Sequence, residues 1–362
     1  MDVTAGLEEV RAVAERFRVD GSVTAVLPVP GGHINDTYRI ETRHSDGSRR
    51  GYLMQRLNPH VFARPDLVME NVARVARHLA QRSARYPALV LSRDNGDWVT
   101  DTAGRVWRMF VYVDGARVRE HVQSTVDAGG AGQAFGEFLR LLADAGLTLH
   151  ETIPGFHDTR ARFARLDAAV RADSVARATD ARAEIDSVLA ERALADMLPP
   201  LLASGAVPLR PVHNDAKIAN VLFDAASGDP VCVIDLDTVM PGSALHDFGD
   251  LVRSSVSPTA EDETDVSKIR VRSELFAALA RGYLESAGDV LTAHEVRLLG
   301  FAGRLITVEQ AVRFLTDHLE GDRYYRIDRP GHNLIRCRAQ LALLQSLTDQ
   351  ASSLERIIAE VS

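Results

Sequence analysis

Cysteine is scarce in this sequence: 362 residues contain only two, Cys232 and Cys337. Their separation matches no paired spacing, and this excludes a disulfide framework. We expect both thiols to be small buried hydrophobic groups in a protein of a reducing compartment.

Long apolar runs and an excess of positive charge are also missing. No stretch of about 18 apolar residues occurs, so we expect no transmembrane helix. The N-terminus is polar and amphipathic, without the apolar segment of a secretory signal. The net charge of −8 and the pI of about 5.9 disfavour nucleic acid or an anionic membrane as partner. The sequence therefore predicts a cytoplasmic protein with no obligate protein partner, although a loop or a metal ion still allows it to bind nucleotide phosphates.

Hydrophobic periodicity changes along the chain near "YVDGARV". Before it, alternating patterns predict strands at 22–30, 36–42, 52–58 and within 88–115, with one helix over 64–82. After it, helical patterns predict helices at about 130–146, 158–172, 178–203, 267–287, 293–319 and 332–358, interrupted by a short β segment at 211–237. The pattern favours an α+β protein with a small sheet lobe, 1–114, and a larger helical lobe, 115–362.

The segment "PVHNDAKIANVLFD", followed by "VCVIDLDTVMPG", concentrates polar residues around a predicted hairpin. Asp215 follows His213 by two positions, Asn220 lies five residues further on, and Asp235 ends the second apolar strand. This spacing directs an acceptor-only carboxylate and two oxygen ligands into one cleft. Phosphoryl transfer needs such an arrangement near a hydroxyl group and Mg²⁺. The simpler alternatives are that Asp215 and Asn220 are turn residues.

This arrangement resembles the catalytic loop and metal site of the protein-kinase-like phosphotransferases, and specifically their aminoglycoside phosphotransferase and choline kinase branch. The resemblance implies a bilobal protein-kinase-like fold that binds ATP and Mg²⁺. It also implies that Asp215 is catalytic and that Asn220 and Asp235 hold the metal. His213 is then expected to hold the loop, and Asp237 to support the metal site or to be solvated.

A second stretch, "HDFGDLVR", contains the Asp-Phe-Gly tripeptide that protein kinases use at their metal site. Asp247 follows Asn220 by more than one hairpin, whereas Asp235 follows it by one. We therefore expect the metal ligand to be Asp235. Asp247 or Asp250 is expected to cap a helix starting near Phe248 or to brace the catalytic loop.

The resemblance also locates the nucleotide phosphates. Gly31 and Gly32, between two predicted strands, allow close approach of the backbone to phosphates, although an ordinary tight turn explains them equally well. The third strand carries no lysine, which departs from the common pattern. Arg56 is the available cation, with Gln55 at the neighbouring position, and Glu70 on the following helix is the expected acidic partner.

Longer strings, among them "LVMENV", "LHETIPGFHDT" and "RFLTDHLEGDRYY", are similar to those of the N-acetylhexosamine 1-kinases over residues 20–350. These enzymes phosphorylate the anomeric (C1) hydroxyl of GlcNAc or GalNAc. The resemblance implies that His33, Asp215, Arg313 and Tyr324 contact the sugar. Two alternatives stay open: another small hydroxyl acceptor, such as an aminoglycoside, choline, homoserine or another sugar, and an inactive nucleotide-binding protein.

Overall fold

The computed structural model describes residues 3–29 and 34–362. It confirms the α+β architecture, with an antiparallel sheet in the first third of the chain and mainly helices in the rest. The elements of the first third are α1 (Val3–Ala14), β1 (Ser22–Pro28), β2 (Asp36–Arg43), β3 (Arg49–Arg56), α2 (Pro65–Arg82), β4 (Val99–Thr100) and β5 (Val106–Val111).

Within the described residues these strands form one antiparallel sheet in the order β1-β2-β3-β5-β4. The side chains of β3 alternate between its two faces. Tyr52 and Met54 are buried in a cluster that includes Val10 of α1. Leu53 and Gln55 point the other way and line a large cleft. The alternation therefore decides which residues of β3 face the site.

Helix α2 connects the sheet to the helical part of the protein. Pro65 suits its first turn because proline has no N–H to leave unpaired there. The buried Asn71 donates from Nδ2 to the carbonyl oxygens of His150, at 2.8 Å, and Val239, at 3.1 Å. Its Oδ1 accepts from the N–H of His150 at 2.8 Å. One side chain thus joins α2 to two separate segments of the later chain.

The rest of the protein is a helical bundle with short strands. Its elements are β6 (Ala116–Arg117), α3 (Thr125–Ala143), α4 (Thr159–Ala172), α5 (Arg182–Ala190), α6 (Leu198–Ala203), β7 (Arg210–Val212), β8 (Val221–Asp224), β9 (Pro230–Val233), β10 (Met240–Gly242), α7 (Ala244–Ser255), α8 (Ser273–Ala287), α9 (Ala293–Leu319), α10 (His332–Asp349) and α11 (Ala351–Val361). Short 3-10 helices follow β7 and β9, at Ile218–Asn220 and Leu236–Thr238.

Several of the predicted elements differ from the structure in their bounds or continuity. The single helix predicted over 178–203 is broken into α5, a 3-10 turn and α6. Prolines occupy the first turn of α6, and they prevent a preceding helix from running on through this point. The helix predicted over 332–358 ends at Asp349, and α11 follows. Of the strands predicted within 88–115, the one at 88–94 is reduced to isolated bridges of Leu89 and Ser92, and the one at 98–104 to Val99–Thr100.

Other expectations hold. The helix predicted over 293–319 has those bounds, and its Thr292 and Glu295 form a capping box. Both cysteines are free and buried, as predicted. Among the described residues, none of the helices combines the length and the apolar character needed to cross a membrane.

Candidate active site

A cleft of about 1310 Å³ lies between the sheet and the helical bundle. It brings together most of the residues singled out by the sequence: Asp215, Asn220, Asp235, Arg313 and Tyr324 all line it. They come from the loop after β7, the turn after β9, α9 and the loop after α9. Gly31, Gly32 and His33 lie outside the described residues.

His213 holds the loop after β7, the candidate catalytic loop, from the side away from the cleft. Its side chain is fully buried, with Nε2 2.9 Å from the carbonyl oxygen of Ile234. The ring packs edge-on against Phe135 and Phe138, with centroids 5.3 and 5.7 Å away. Asn214 follows with a φ of 62°, a left-handed conformation that asparagine tolerates better than most residues. The loop therefore turns sharply and presents Asp215 to the cleft.

Asp215 keeps one carboxylate oxygen open to the cleft. Lys217 Nζ is 2.8 Å from Oδ2, and Asn220 Nδ2 is 3.2 Å from the same atom. Oδ1 has no hydrogen-bond partner in the described part of the chain. Burial raises the pKa of the Asp215 carboxyl, but the attraction of Lys217 outweighs it and holds the pKa well below the usual range. Asp215 is thus an ionised hydrogen-bond acceptor at neutral pH.

Asn220 and Asp235 offer oxygen ligands beside Asp215. Because the amide nitrogen of Asn220 bonds to Asp215, its Oδ1 is left without a partner among residues 3–29 and 34–362. The Asp235 carboxylate is likewise unpartnered there and is exposed to the cleft. Its setting, with Asp237 and Asp215 close by, raises the pKa of Asp235 to about 6, chiefly through desolvation. Two such oxygens fit Mg²⁺, which proteins hold with one or two carboxylates plus substrate phosphates.

Asp247 braces the catalytic loop. Its two oxygens accept from the backbone N–H groups of His213, at 2.8 Å, and Asn214, at 2.7 Å. The cap of α7 is Ser243, whose side chain accepts from Leu245 N. Of the two roles considered for Asp247, the structure shows the brace. The Asp-Phe-Gly tripeptide lies inside α7, behind the loop.

The residues predicted to lie around the nucleotide phosphates do not all line the cleft. Gln55 lines the cleft, whereas Arg56 lies on the other face of β3, bonded to Asp36 and over the Trp107 ring. Glu70 is bonded to His150 Nε2 at 2.8 Å and to Arg74. The structure therefore does not bring Arg56 and Glu70 together.

At the other end of the cleft, aromatic rings surround Arg313. Its guanidinium carbon is 5.3 Å from the Phe156 ring centre, 5.9 Å from that of Tyr324 and 5.6 Å from that of Tyr325. Its Nη1 donates to Gln310 Oε1 at 3.1 Å. Tyr324 itself is half exposed. This end combines a fixed cation with flat apolar faces.

His157 links this end to the catalytic loop. Its Nδ1 is 2.8 Å from Glu309 Oε1, and its Nε2 is 3.0 Å from the carbonyl oxygen of Asn214. Both partners are acceptors, so both ring nitrogens must carry protons. Burial lowers the pKa of His157, but Glu309 more than compensates and raises it above its ordinary value.

The prediction from sequence missed four residues of the site, Lys217, Arg108, His157 and Glu309. Lys217 was detectable, because it lies inside the catalytic motif next to Asp215. Arg108 carries a weaker signal, as a lone charge in the apolar strand "VWRMFV". The link from His157 to Glu309 spans half the chain and has no local signal.

The fold and this site define a kinase-like phosphotransferase. The model of the phosphotransferase enzyme family matches residues 25–299, and the chain therefore belongs to that family. Among similar solved structures, an amicoumacin kinase in complex with AMP-PNP and Ca²⁺ has a TM-score of 0.61 and 15% identity, covering 94% of this chain and 93% of that one.

Two further structures share the fold at low identity. A microcompartment-associated aminopropanol kinase has a TM-score of 0.59 and 17% identity, with 96% and 98% of the two chains covered. A choline/ethanolamine kinase family protein from Mesorhizobium loti has a TM-score of 0.54 and 18% identity, with 97% and 99% covered. Each chain is matched over nearly its whole length.

Proposed function

We propose that this protein is a kinase that uses ATP and Mg²⁺ to phosphorylate the C1 hydroxyl of an N-acetylhexosamine. The observation that carries the proposal is the convergence of Asp215, Asn220 and Asp235 in one cleft, with Asp215 Oδ1 open. The family membership and the nucleotide analogue bound to the amicoumacin kinase support phosphoryl transfer from a nucleotide.

The chain's own residues suggest how transfer proceeds. Asp215 Oδ1 accepts a hydrogen bond from the sugar hydroxyl and orients its oxygen toward the γ-phosphate. Because the pKa of Asp215 is low, we expect the proton to move to Asp215 late, when the hydroxyl oxygen has begun to bond to phosphorus and the bond from phosphorus to the departing oxygen of ADP has begun to break. Asn220 and Asp235 would hold Mg²⁺, which offsets phosphate charge. Catalysis then depends mostly on positioning and electrostatics.

The acceptor end of the cleft favours a neutral acceptor over an amine. Arg313 is a fixed cation there, and it would repel a second positive charge. Among the described residues, the nearby lining carboxylates already have partners. Glu309 bonds to His157 and Thr159, Asp250 and Glu261 to Arg253, and Asp322 to Arg177. A sugar instead uses polar donors and a ring face to pack on, such as that of Tyr324.

The test is ADP release with Mg²⁺ across GlcNAc, GalNAc, their non-acetylated forms, choline and an aminoglycoside. We expect release with the N-acetylated sugars and none with a methyl glycoside of GlcNAc, which has no free C1 hydroxyl. Release with choline or the aminoglycoside alone would overturn the acceptor assignment. Nucleotide binding without release for any acceptor would favour an inactive nucleotide-binding protein.

Asp215→Asn should lower kcat by about 10²- to 10⁴-fold, the usual contribution of a positioned general base, while unfolding is little changed. The matched control is Asp186→Asn, the same change at an exposed residue of α5 paired with Arg182. Near-normal turnover in Asp215→Asn would contradict the mechanism.

A further inference from the structure

The cation that replaces the usual lysine of the third strand is not on that strand's cleft face. Gln55 occupies this face, and Arg56 points away from it. Between residue 34 and residue 111, the lining of the cleft includes a single lysine or arginine, Arg108 of β5. Arg108 is the direct cross-strand partner of Gln55 in the sheet.

Arg108 is held behind Gln55. Its side chain is 1% exposed. Nε and Nη2 donate to Gln55 Oε1 at 3.0 and 2.8 Å. Nη1 donates to Asp237, which also accepts from Asn35 Nδ2 at 2.6 Å. The guanidinium is therefore buried, paired and fixed from both sides.

This arrangement fixes the amide of Gln55 in one orientation. Two guanidinium N–H groups occupy Oε1, and the amide nitrogen cannot face the same donors. Nε2 therefore points away, where its nearest partner is Thr37 Oγ1 at a long 3.4 Å. Thr37 also lines the cleft. Nε2 therefore lies on the cleft face of the sheet, and the N–H group that does not point to Thr37 has no partner among the described residues.

We propose that binding of the nucleotide phosphates, which usually depends on one lysine of the third strand, depends on two residues in this chain. Gln55 donates from Nε2 to the phosphates of the nucleotide. Arg108 is a positioning residue that sets the amide orientation through Oε1 and is itself held by Asp237. This inference rests on the proposed function, because it requires that the cleft binds a nucleotide.

The test compares binding of Mg·ADP and of adenosine, which lacks phosphates, by calorimetry. Gln55→Glu keeps the shape and the contact with Arg108 but replaces the donors with a carboxylate oxygen. Arg56→Gln is the matched comparison, since both changes alter the net charge by one in the same direction at adjacent positions. Gln55→Glu should weaken Mg·ADP binding by about 10- to 100-fold, the usual loss for hydrogen bonds to a charged group. Arg56→Gln should weaken it by less than about 2-fold on the same scale, and adenosine binding should change equally little in both.

Equal or larger loss in Arg56→Gln would overturn the inference. Unchanged Mg·ADP binding in Gln55→Glu would also overturn it, and so would an equal loss of affinity for adenosine. If the wild-type protein itself fails to bind Mg·ADP, the proposed function fails instead. The two failures are therefore distinguishable.

The positioning role of Arg108 has its own test. Arg108→Met is combined with Asp237→Asn, so that no unpaired charge is left buried. If Arg108 acts through Gln55, this pair of changes should lower the affinity for Mg·ADP relative to adenosine in the wild-type background. In a protein that already carries Gln55→Met, the pair of changes should cause no further loss of affinity for Mg·ADP. A further loss in the Gln55→Met background would mean that Arg108 or Asp237 affects nucleotide binding by a route other than Gln55, and would overturn the positioning role.

Discussion

At the scale of single residues, two aspartates lie on opposite sides of the candidate catalytic loop. Asp235 faces the cleft and has no partner among the described residues, whereas Asp247 is buried and bonds to two backbone N–H groups. The pKa of both carboxyls is raised to about 6, by burial for Asp247 and by desolvation in the cleft together with Asp237 and Asp215 for Asp235. A raised pKa therefore accompanies two different settings, a carboxylate that faces the cleft and a carboxylate that bonds to the loop.

We expect Asp235→Ala and Asp247→Ala to separate these tasks. Asp235→Ala should abolish Mg²⁺-dependent ADP release with little loss of stability, because it removes a carboxylate that no described residue bonds to. Asp247→Ala should lower the free energy of unfolding by about 1–3 kcal/mol, the cost of unpaired buried N–H groups. Denaturant unfolding and Mg²⁺ titrations measure the two effects. An exchange of the two outcomes would show that the metal ligand is Asp247.

At the scale of elements, the glycine of "HDFG" serves the packing of α7 on α9. A Cβ added at Gly249 would lie 2.4 Å from the carbonyl oxygen of Ala302 and 2.6 Å from Ile306 Cγ1. Across the same contact, a Cβ at Gly303 would lie 2.6 Å from Val252 Cγ1. The two helices approach too closely for side chains at these positions. Since α7 carries Asp247, this contact also sets the brace of the catalytic loop.

Gly249→Ala should therefore destabilise the fold by about 1–3 kcal/mol, the typical cost of overpacking. The matched control is Gly6→Ala in α1, where an added Cβ meets no atom of the described residues within 4 Å. There the higher helix propensity of alanine should stabilise by up to about 1 kcal/mol. Opposite signs in denaturant unfolding are the expected result, and a neutral Gly249→Ala would mean that the helices can separate at little cost.

At the scale of the whole molecule, the pair of His157 and Glu309 connects α9 to the catalytic loop and makes stability depend on pH. Burial raises the pKa of Glu309, but His157 outweighs it and lowers the pKa to about 2, against 4.5 for a free glutamate. That contribution is present above pH 4.5 and is lost as the pH falls toward 2. The raised pKa of His157 gives a contribution that is present below 6.5 and is lost at higher pH. The neighbouring His246 stays neutral, since burial lowers its pKa to about 3.

The difference in unfolding free energy between the wild type and Glu309→Gln should therefore be largest between about pH 4.5 and 6.5, and it should shrink as the pH rises further. Denaturant unfolding at several pH values measures it, and the subtraction removes titrations elsewhere, such as that of Asp247. A difference that stays constant up to pH 8.5 would show that His157 is neutral in the folded protein.

The sequence predicts features that lie within one short segment of the chain, and it misses contacts between residues that are distant in the chain. The convergence of Asp215, Asn220 and Asp235 in one cleft was predictable because a hairpin links them at fixed spacing, and α9 was predictable from its helical periodicity. The cleft face of β3 was misjudged because residue type suggested Arg56, while strand alternation places Gln55 there. The contact from Arg108 to Asp237 joins residues far apart in the chain, so no short motif encodes it.

The hydrogen bonds of Asn71 bear on regulation. In protein kinases, the helix that corresponds in order to α2 moves when the enzyme is switched on or off. Here that helix is fastened by a buried side chain to residues 150 and 239, on two different segments. To swing it outward, the protein would have to break all three bonds in its interior. We therefore expect α2 to keep one position. The activity should then depend on the concentrations of the ligands and not on covalent modification of the protein.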